Sequence, residues 1–365
     1  MSKLAILADP HSTHTFKWVK NLSEKGYEVL LIGISDRDTL IYKELPNVEF
    51  VLFKVIKNIQ HKRKLDFIKV TNLRHFFTIK KTIKKFNPDI LHAFYASSYG
   101  LIGALCRSWP YVISVWGSDV FEFPKKSIIH KSILKFSLSR ANCICATGEV
   151  LKNEIQKYTS KEIKVIPFGI NTDYFKPDKS KKANTLTIGT VKHFKSIYGI
   201  ETLIKAVAQL AENGQLTNYR LLLIGDGPQK QNYIGLAKQL GLEDKIEFTG
   251  FIINNQLASY YQQMDIVVIP SLRESFGISV LEGMSCEKPV IASDISGFNE
   301  VGTPETITYF KAGDANELAN KIIDCIQNGA TYKLKAQKAR ERVVALFSEK
   351  SCVEKKVNLY KQLLG

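Results

Sequence analysis

Long apolar runs are absent from this chain of 365 residues. No stretch approaches the ~18 consecutive apolar residues that a membrane-spanning helix needs. The first ten residues, MSKLAILADP, lack the charged start and long apolar core of a secretory signal peptide. Hydrophobic residues make up 45% and charged residues 24%, as in ordinary globular proteins. We therefore expect a cytoplasmic protein whose length suits two domains.

Cysteine is sparse and scattered, with six residues in the whole chain. Cys143 and Cys145 are close in sequence, but they lie in an apolar, strand-like run and have no second pair at zinc-binding spacing. We expect buried free thiols in a reducing compartment. No other segment offers metal-ligand spacing, so the sequence predicts neither a metal nor any other cofactor.

Acidic residues are scarce in the first half of a chain whose net charge is +16. Residues 1–180 carry 29 Lys+Arg and 16 Asp+Glu, a balance of +13, and residues 54–85 carry 11 Lys+Arg against Asp66 alone. This basic region, interleaved with phenylalanines, suits an anionic membrane surface or an anionic acceptor. A solvated helix face is the plainer alternative. Nucleic acid is not expected as a partner, because no recognised nucleic-acid-binding motif accompanies the charge.

Short apolar runs alternate with helix-like segments along the chain. Such alternation predicts parallel sheets with helices on both faces, an α/β fold. The helix-like segments of the first half are 16–25 and 68–85, and the Asn87-Pro88 pair should end the second of them. The predicted strands are 4–8, 28–34, 48–53, 90–93, 111–115, 143–146, 187–190, 220–224, 246–249, 266–269 and 289–292.

The composition changes at residues 166–182, where two prolines, a glycine and a lysine-rich tail indicate a linker. The strand and helix alternation then restarts. We expect domains at 1–170 and 171–347, followed by a polar helix at 348–365 that packs back on the first domain. Helix 332–346 should close the second domain.

Two glutamates eight residues apart, Glu274 and Glu282, flank a Phe-Gly turn between a strand-like and a helix-like run. Ligands of doubly wound sheets bind at loops beyond the carboxyl ends of strands. A carboxylate there can accept hydrogen bonds from vicinal sugar hydroxyls. The helix that starts near Gly277 would aim free backbone N–H groups into the same loop, which suits a diphosphate.

The segment 270–300 resembles the donor-site motif, Glu-x7-Glu, of retaining GT-B-fold glycosyltransferases of family four. The resemblance implies two Rossmann-like domains facing a cleft, with the first domain binding the acceptor. It implies that Glu274 is catalytic beside the donor sugar and that Glu282 binds the ribose hydroxyls. It also implies that the backbone of Phe276, Gly277 and Ile278 contacts the sugar and diphosphate.

The remaining donor-site residues follow from the same resemblance. Family members commonly place an Arg and a Lys where this chain has His193 and Tyr198. We expect Lys192 or Lys195 to meet the diphosphate instead, with protonated His193 as a third candidate. The main chain at Gly250 and Phe251 matches a loop that lies near the base.

The acceptor side is predicted from the first-domain loops. His14 and Asp119 are candidate catalytic or sugar-orienting residues. Trp116 stands where relatives have a histidine, and we expect it to line the acceptor site with Tyr95 and Ser97.

The implied reaction transfers a sugar, with a UDP-sugar favoured, to a hydroxyl of a glycan or lipid-linked acceptor, with retention and without a metal. Asp36-Arg37-Asp38 matches the Asp-x-Asp signature of a different transferase class, but it lies far from the donor loops and is interpreted as a solvent loop. The setting would be surface polysaccharide or glycolipid assembly, with peripheral attachment at the inner face of the plasma membrane as one location. Two alternatives stay open: a non-catalytic sugar-nucleotide-binding partner of a membrane glycosylation complex, and a sugar-nucleotide epimerase on the same fold.

Overall fold

The computed structural model describes residues 1–55, 75–106, 109–178, 185–253 and 256–365. The chain divides into two compact units. The first unit comprises Met1–Phe168 together with Cys352–Gly365, and the second comprises Gly169–Ser351. Each unit is built around one parallel sheet, of seven strands in the first and six in the second.

The sheet of the first unit has the order β3-β2-β1-β4-β5-β6-β7. Its central strands are buried on both faces, which explains why they are continuous runs of Val, Ile, Leu and Ala rather than alternating patterns. The strands are β1 Lys3–Leu7, β2 Glu28–Ser35, β3 Val48–Lys54, β4 Ile90–Phe94, β5 Tyr111–Ser114, β6 Cys143–Ala146 and β7 Ile163–Val165.

Helices cover both faces of this sheet. One face packs against helices Phe76–Phe86, Ser98–Leu105, Ile128–Arg140 and Glu149–Gln156. The other face packs against Thr13–Glu24 and the last helix, Glu349–Leu364. Two single turns, Ser118–Phe121 and Phe123–Lys125, follow β5.

The last helix is fixed to the first sheet by buried polar contacts. The hydroxyl of Tyr360 lies 2.6 Å from Nδ1 of His92 in β4. The ammonium of Lys356, 2% exposed, donates to Ser114 Oγ over 3.1 Å. Because both contacts are buried, they specify one docking position for the helix as well as stabilising it.

The sheet of the second unit has the order β10-β9-β8-β11-β12-β13. The strands are β8 Leu186–Val191, β9 Tyr219–Ile224, β10 Ile246–Gly250, β11 Ile266–Ile269, β12 Val290–Ser293 and β13 Thr308–Phe310. The helices are Ile200–Glu212, Lys230–Gln239, Leu257–Gln263, Ile278–Ser285, Ser296–Asn299, Ala315–Gln327 and Gly329–Arg342, with shorter turns at Ser196–Tyr198 and Val343–Phe347. Two apolar clusters, one on each face of the sheet, form the core.

The predicted fold class is confirmed, since both sheets are parallel and doubly wound in the Rossmann order. The helix predicted at 332–346 is instead Gly329–Arg342, followed by the wider turn Val343–Phe347. The helix predicted at 68–85 is described from Phe76 onward and ends at Phe86, where Asn87 adopts a left-handed conformation before Pro88. Residues 56–74 of the basic region lie outside the described residues.

All six cysteines are buried and free, as expected. Within the described ranges, no helix is both long and apolar enough to cross a bilayer.

Candidate active site

The second sheet changes winding direction between β8 and β11, which pair in parallel through Ile188 and Ile266. Strands β9 and β10 lie on one side of this point, and β12 and β13 lie on the other. The loops that follow β8 and β11 therefore leave the sheet in neighbouring positions, where a crevice forms in doubly wound folds.

A buried ion pair joins these two loops. The Nζ atom of Lys192, directly after β8, lies 2.6 Å from Oε2 of Glu274 in the loop after β11. Only 7% of the lysine side chain and 19% of the glutamate side chain are exposed. Ser271 Oγ donates to the same carboxylate oxygen over 3.2 Å. Two donors thus fix Glu274, one of which also neutralises its charge.

Tyr198 lies beneath the ammonium of Lys192, which is 5.1 Å from the ring centroid. Burial, and then the charge of Glu274, raises the pKa of the Tyr198 hydroxyl. An aromatic face is a favourable neighbour for a desolvated cation. Tyr198 stands at the position where the resembling family commonly has a lysine. In this chain its ring instead supports the ammonium of Lys192, which comes earlier in the same loop.

The other two basic candidates lie elsewhere. His193 and Lys195 are exposed, whereas Lys192 is buried. The ring of His193 packs on the turn at Gly227, where an added Cβ would lie 2.5 Å from Nδ1. Of the three predicted cations, the structure brings Lys192 to Glu274.

Glycine allows the two loops to pack closely. Gly199 has φ +61°, and a Cβ there would lie 2.0 Å from the carbonyl oxygen of Pro270. Leu272 N–H also donates to the Ile197 carbonyl over 2.9 Å. The loops consequently form one packed layer in which Lys192 and Glu274 have fixed positions.

Helix Ile278–Ser285 begins at this layer and carries Glu282. Gly277 precedes it with φ +107°, a conformation that glycine adopts without strain. The Phe276 side chain is buried and contacts Phe347, so what this residue offers a ligand is its backbone. Ile278 is half-buried at the first position of the helix.

Glu282 is 7% exposed and accepts a hydrogen bond from Tyr261 Oη over 2.8 Å. Burial raises the pKa of Tyr261 well above its ordinary value, and the charge of Glu282 raises it further. Tyr261 therefore keeps its proton and donates a hydrogen bond to the carboxylate. Tyr261 was not predicted from the sequence, because it lies on a different helix and has no motif around it.

The loop after β10 carries the other donor-side candidates. Gly250 has φ +75° and accepts at its carbonyl from Gly225 N–H over 3.0 Å. The Phe251 side chain is 77% exposed. Its open ring is available for contact with a planar group.

In the first unit, the loops after β1, β4 and β5 enclose a cavity of about 250 Å³. Polar groups dominate its wall, and three predicted acceptor-side residues are among them. The lining residues are Asp9, Tyr95, Ser97, Ser98, Tyr99, Ser118, Asp119 and Phe123.

Asp119 holds two of these loops together. Its carboxylate is 1% exposed and accepts backbone N–H groups of Ala96 at 2.8 Å, Gly117 at 2.8 Å and Trp116 at 3.2 Å. Burial raises its pKa, and these hydrogen bonds oppose the rise. Geometry of this kind orients the loops around the cavity, and we describe Asp119 as a positioning residue.

Tyr95 has φ +75°, which is unusual for a residue with a large side chain. Such conformations often occur where a site needs one backbone direction. Burial raises the pKa of its hydroxyl to about 12, so the group stays protonated. Ser97, 4% exposed, directly precedes helix Ser98–Leu105.

His14 belongs to an aromatic cluster in the first unit. Its ring stacks on Phe168 at 3.8 Å and meets Trp116 edge-on at 5.9 Å. Burial, and then the charge of Lys17, lowers the pKa of His14 to about 3, so the imidazole is neutral. Its Nδ1 is buried and has no hydrogen-bond partner among the described residues. The structure therefore brings His14 and Trp116 together from separate loops.

No group of three His, Cys, Asp or Glu side chains that could hold a metal ion occurs in the described part of the chain.

Comparisons with known proteins identify the family. Residues 171–342 match the model described as "Glycosyl transferases group 1", and residues 3–148 match that described as "Glycosyl transferase 4-like". The Schizosaccharomyces pombe phosphatidylinositol N-acetylglucosaminyltransferase gpi3 subunit is 25% identical over 95% of this chain and 76% of its own. N-acetyl-alpha-D-glucosaminyl L-malate synthase of Bacillus anthracis is 23% identical over 94% of this chain and 92% of its own.

Solved structures share the whole fold. Sucrose-phosphate synthase from Thermosynechococcus elongatus has a TM-score of 0.83 at 23% identity, over 100% of this chain and 99% of its own. Anabaena HepE, solved in complex with UDP, has a TM-score of 0.79 at 18% identity, over 99% and 100%. The chain therefore belongs to the group 1 glycosyltransferases and has the GT-B fold.

Proposed function

We propose that this glycosyltransferase moves a sugar from a nucleoside-diphosphate sugar, with UDP favoured as the nucleotide, to a hydroxyl of a glycan or lipid-linked acceptor. The transfer would retain the anomeric configuration and need no metal. The observation that carries the proposal is the buried Lys192–Glu274 pair where the second sheet reverses its winding.

The names of similar proteins support the choice of donor and acceptor. HepE was solved with UDP, with UDP and glucose, and with UDP-glucose. The S. pombe relative is named for a phosphatidylinositol acceptor. These favour a uridine donor and a lipid-linked acceptor for this chain, in glycolipid or surface polysaccharide assembly.

The donor-side roles follow from charge. A departing diphosphate carries negative charge, and a preorganised cation stabilises it. Lys192 supplies that cation, and it also prevents Glu274 from repelling the diphosphate. Glu274 then has an oxygen for the sugar hydroxyls, while Glu282, oriented by Tyr261, binds the ribose hydroxyls. The exposed Lys195 and His193 are secondary phosphate candidates.

The backbone supplies the rest of the donor site. The first N–H groups of helix Ile278–Ser285 carry partial positive charge and suit the diphosphate. Gly250 and the exposed Phe251 would lie beside the base.

The acceptor would occupy the cavity of the first unit. Tyr95 and Ser97 line it, Asp119 orients its loops, and the neutral His14 and Trp116 provide an adjoining apolar wall. We propose that the acceptor hydroxyl attacks on the face from which the diphosphate leaves, with a phosphate oxygen taking its proton. The chain then contributes positioning and charge stabilisation.

Calorimetric titration with UDP, GDP, ADP and UDP-sugars tests the donor site. We expect micromolar binding of one nucleotide, lost in Glu282→Ala and retained in the surface control Glu341→Ala. Binding that survives Glu282→Ala equally well would refute the assigned ribose contact. Repeating the titration with EDTA tests metal independence.

Turnover separates an enzyme from a binding partner. With a mixed lipid extract as acceptor, radiolabelled sugar should move into the lipid phase with the native chain and not with Glu274→Gln. Nucleotide binding without any transfer would favour the non-catalytic partner, and interconversion of the free sugar nucleotide would favour the epimerase.

A further inference from the structure

Two helices of the first unit expose large apolar side chains in their first turns. Ile128 is 84% exposed and Ile129 is 69% exposed, at the start of Ile128–Arg140. Phe77 is 80% exposed at the start of Phe76–Phe86. Ile128 and Ile129 are neighbours in sequence, and exposed apolar patches mark sites of contact with a protein or a membrane.

Both helix starts lie at the same edge and on the same face of the sheet. Each helix ends just before a strand begins, Phe86 before β4 and Arg140 before β6, so each helix starts at the carboxyl edge. Both bury side chains in one core cluster, Ile79 from the first helix and Leu134 from the second. The exposed apolar side chains therefore point away from a common core.

Basic residues surround these side chains. Residues 123–148 contain five Lys or Arg and no Asp or Glu, and residues 75–86 contain four Lys and no acid. The exposed lysines are Lys80 and Lys81 on the first helix, Lys131 on the second, and Lys125 just before the second. Apolar side chains on two such basic segments match the headgroup region of an anionic bilayer.

The surface adjoins the cavity of the first unit. Phe123 lines the cavity and packs edge-on against His130 at 4.8 Å. Ser127 caps the same helix by accepting from His130 N–H at 3.4 Å. The Phe123–His130 contact thus connects the cavity wall to the helix that begins with Ile128 and Ile129.

We propose that this docking surface, formed by Phe77, Lys80, Lys81, Lys125, Ile128, Ile129 and Lys131, binds an anionic lipid bilayer. The three apolar side chains insert at the boundary between headgroups and acyl chains, and the lysines contact lipid phosphates. Charge complementarity selects anionic lipid over a neutral bilayer. The inference does not depend on the donor chemistry, because no donor-site residue takes part in it.

Vesicle co-sedimentation of the full chain tests the proposal. We expect binding to vesicles of phosphatidylcholine with 30% phosphatidylglycerol, little binding to phosphatidylcholine alone, and weaker binding as salt increases. The charge reversal Lys125→Glu/Lys131→Glu should lower the partition coefficient at least about tenfold. Lys333→Glu/Lys338→Glu makes an equal charge change on exposed lysines of the second unit. This control should lower the partition coefficient less than Lys125→Glu/Lys131→Glu does.

A second pair of variants tests the contribution of the apolar side chains to vesicle binding. Ile128→Ser/Ile129→Ser should lower the partition coefficient at least about tenfold, whereas Leu334→Ser, on an exposed leucine of the second unit, should not. Circular dichroism melting of each variant establishes that it folds. Equal loss with both members of a pair, or binding that ignores lipid charge and salt, would overturn the proposal.

A tryptophan placed in the docking surface reports directly whether that surface enters the acyl-chain region of the bilayer. Fluorescence of Ile128→Trp, relative to the native chain, should be quenched by lipids brominated on their acyl chains, and that of Leu334→Trp should not. If Ile128→Ser/Ile129→Ser instead abolishes self-association seen by sedimentation velocity, with no vesicle binding by the native chain, the surface is an interface between copies and the lipid proposal is wrong.

Discussion

Lys192 Nζ lies 2.6 Å from Glu274 Oε2, and this contact joins the loops after the two strands at which the second sheet reverses. Removal of one partner leaves the other charge desolvated and unpaired. We expect Lys192→Met to lower the free energy of unfolding by about 3 kcal/mol, measured by urea denaturation. The double variant Lys192→Met/Glu274→Gln should lose less than the sum of the single variants. Additive losses would mean that the contact is not a coupled pair.

The same lysine tests the proposed leaving-group role. Lys192→Met should lower kcat by about 10²–10³ with a smaller effect on nucleotide affinity, since the cation stabilises charge that develops in the transition state. Lys195→Met is the matched control on an exposed lysine of the same loop. A larger loss with Lys195→Met would reassign the diphosphate contact to that residue.

Tyr261 orients Glu282 through a 2.8 Å hydrogen bond. Tyr261→Phe keeps the ring and removes the donor to a charged group, so we expect nucleotide affinity to fall about tenfold, in line with the ~1.5–3 kcal/mol value of such bonds. Calorimetry with the preferred nucleotide measures the change. The neighbouring Tyr260→Phe is the control, and equal affinities of the two variants would show that the hydroxyl does not position Glu282.

Alanine variants of Gly199 and Gly214 distinguish the stability cost of backbone strain from the cost of close packing. Both have a left-handed backbone, but an added Cβ meets the Pro270 carbonyl at 2.0 Å in the first case and open space in the second. Gly214→Ala should destabilise the protein by about 1 kcal/mol from strain alone. Gly199→Ala should cost at least ~2 kcal/mol more and weaken nucleotide binding, because the two donor-site loops must separate. Equal melting temperatures would contradict the packed layer.

His14 should make stability depend on pH. Its pKa is about 3 in the folded protein and ~6.5 when unfolded, so below pH 6.5 the unfolded chain takes up a proton that the folded chain does not. Stability is full above that value and falls as pH decreases toward the folded pKa. Between pH 6.5 and 5, His14→Phe should remove about 2 kcal/mol of this loss.

Urea denaturation at the two pH values measures the difference for His14. The exposed His193→Phe variant controls for loss of a histidine as such. An unchanged slope in His14→Phe would mean that the imidazole is protonated within the folded protein.

Much of the fold follows from local pattern. Runs such as Leu221–Leu223 and Val267–Ile269 are buried on both faces, so composition alone indicates their strands. The three-residue strands β7 and β13 were not predicted, since segments this short carry no periodicity and are set by pairing with a neighbouring strand.

The candidate site also contains residues that a local motif predicts and residues that only tertiary packing reveals. Glu274 and Glu282 were found because they share one contiguous motif. Tyr261 and Ser271 were missed because their contacts with those carboxylates depend on tertiary packing. The choice among Lys192, His193 and Lys195 also required coordinates, since neighbouring loop residues point in different directions. Their roles in catalysis stay predictions.

The contacts of His92 with Tyr360 and of Ser114 with Lys356 affect the order in which the chain can mature. During synthesis, the strands of the first sheet leave the ribosome long before the helix that covers one of their faces. The whole second unit, Gly169–Ser351, is made in between. Domains generally fold in the order of synthesis, but here the second unit can complete its core while the first still exposes apolar surface around Trp18 and Tyr27. We expect the nascent chain to need a chaperone most during this interval, before Tyr360 and Lys356 cover these aromatic rings.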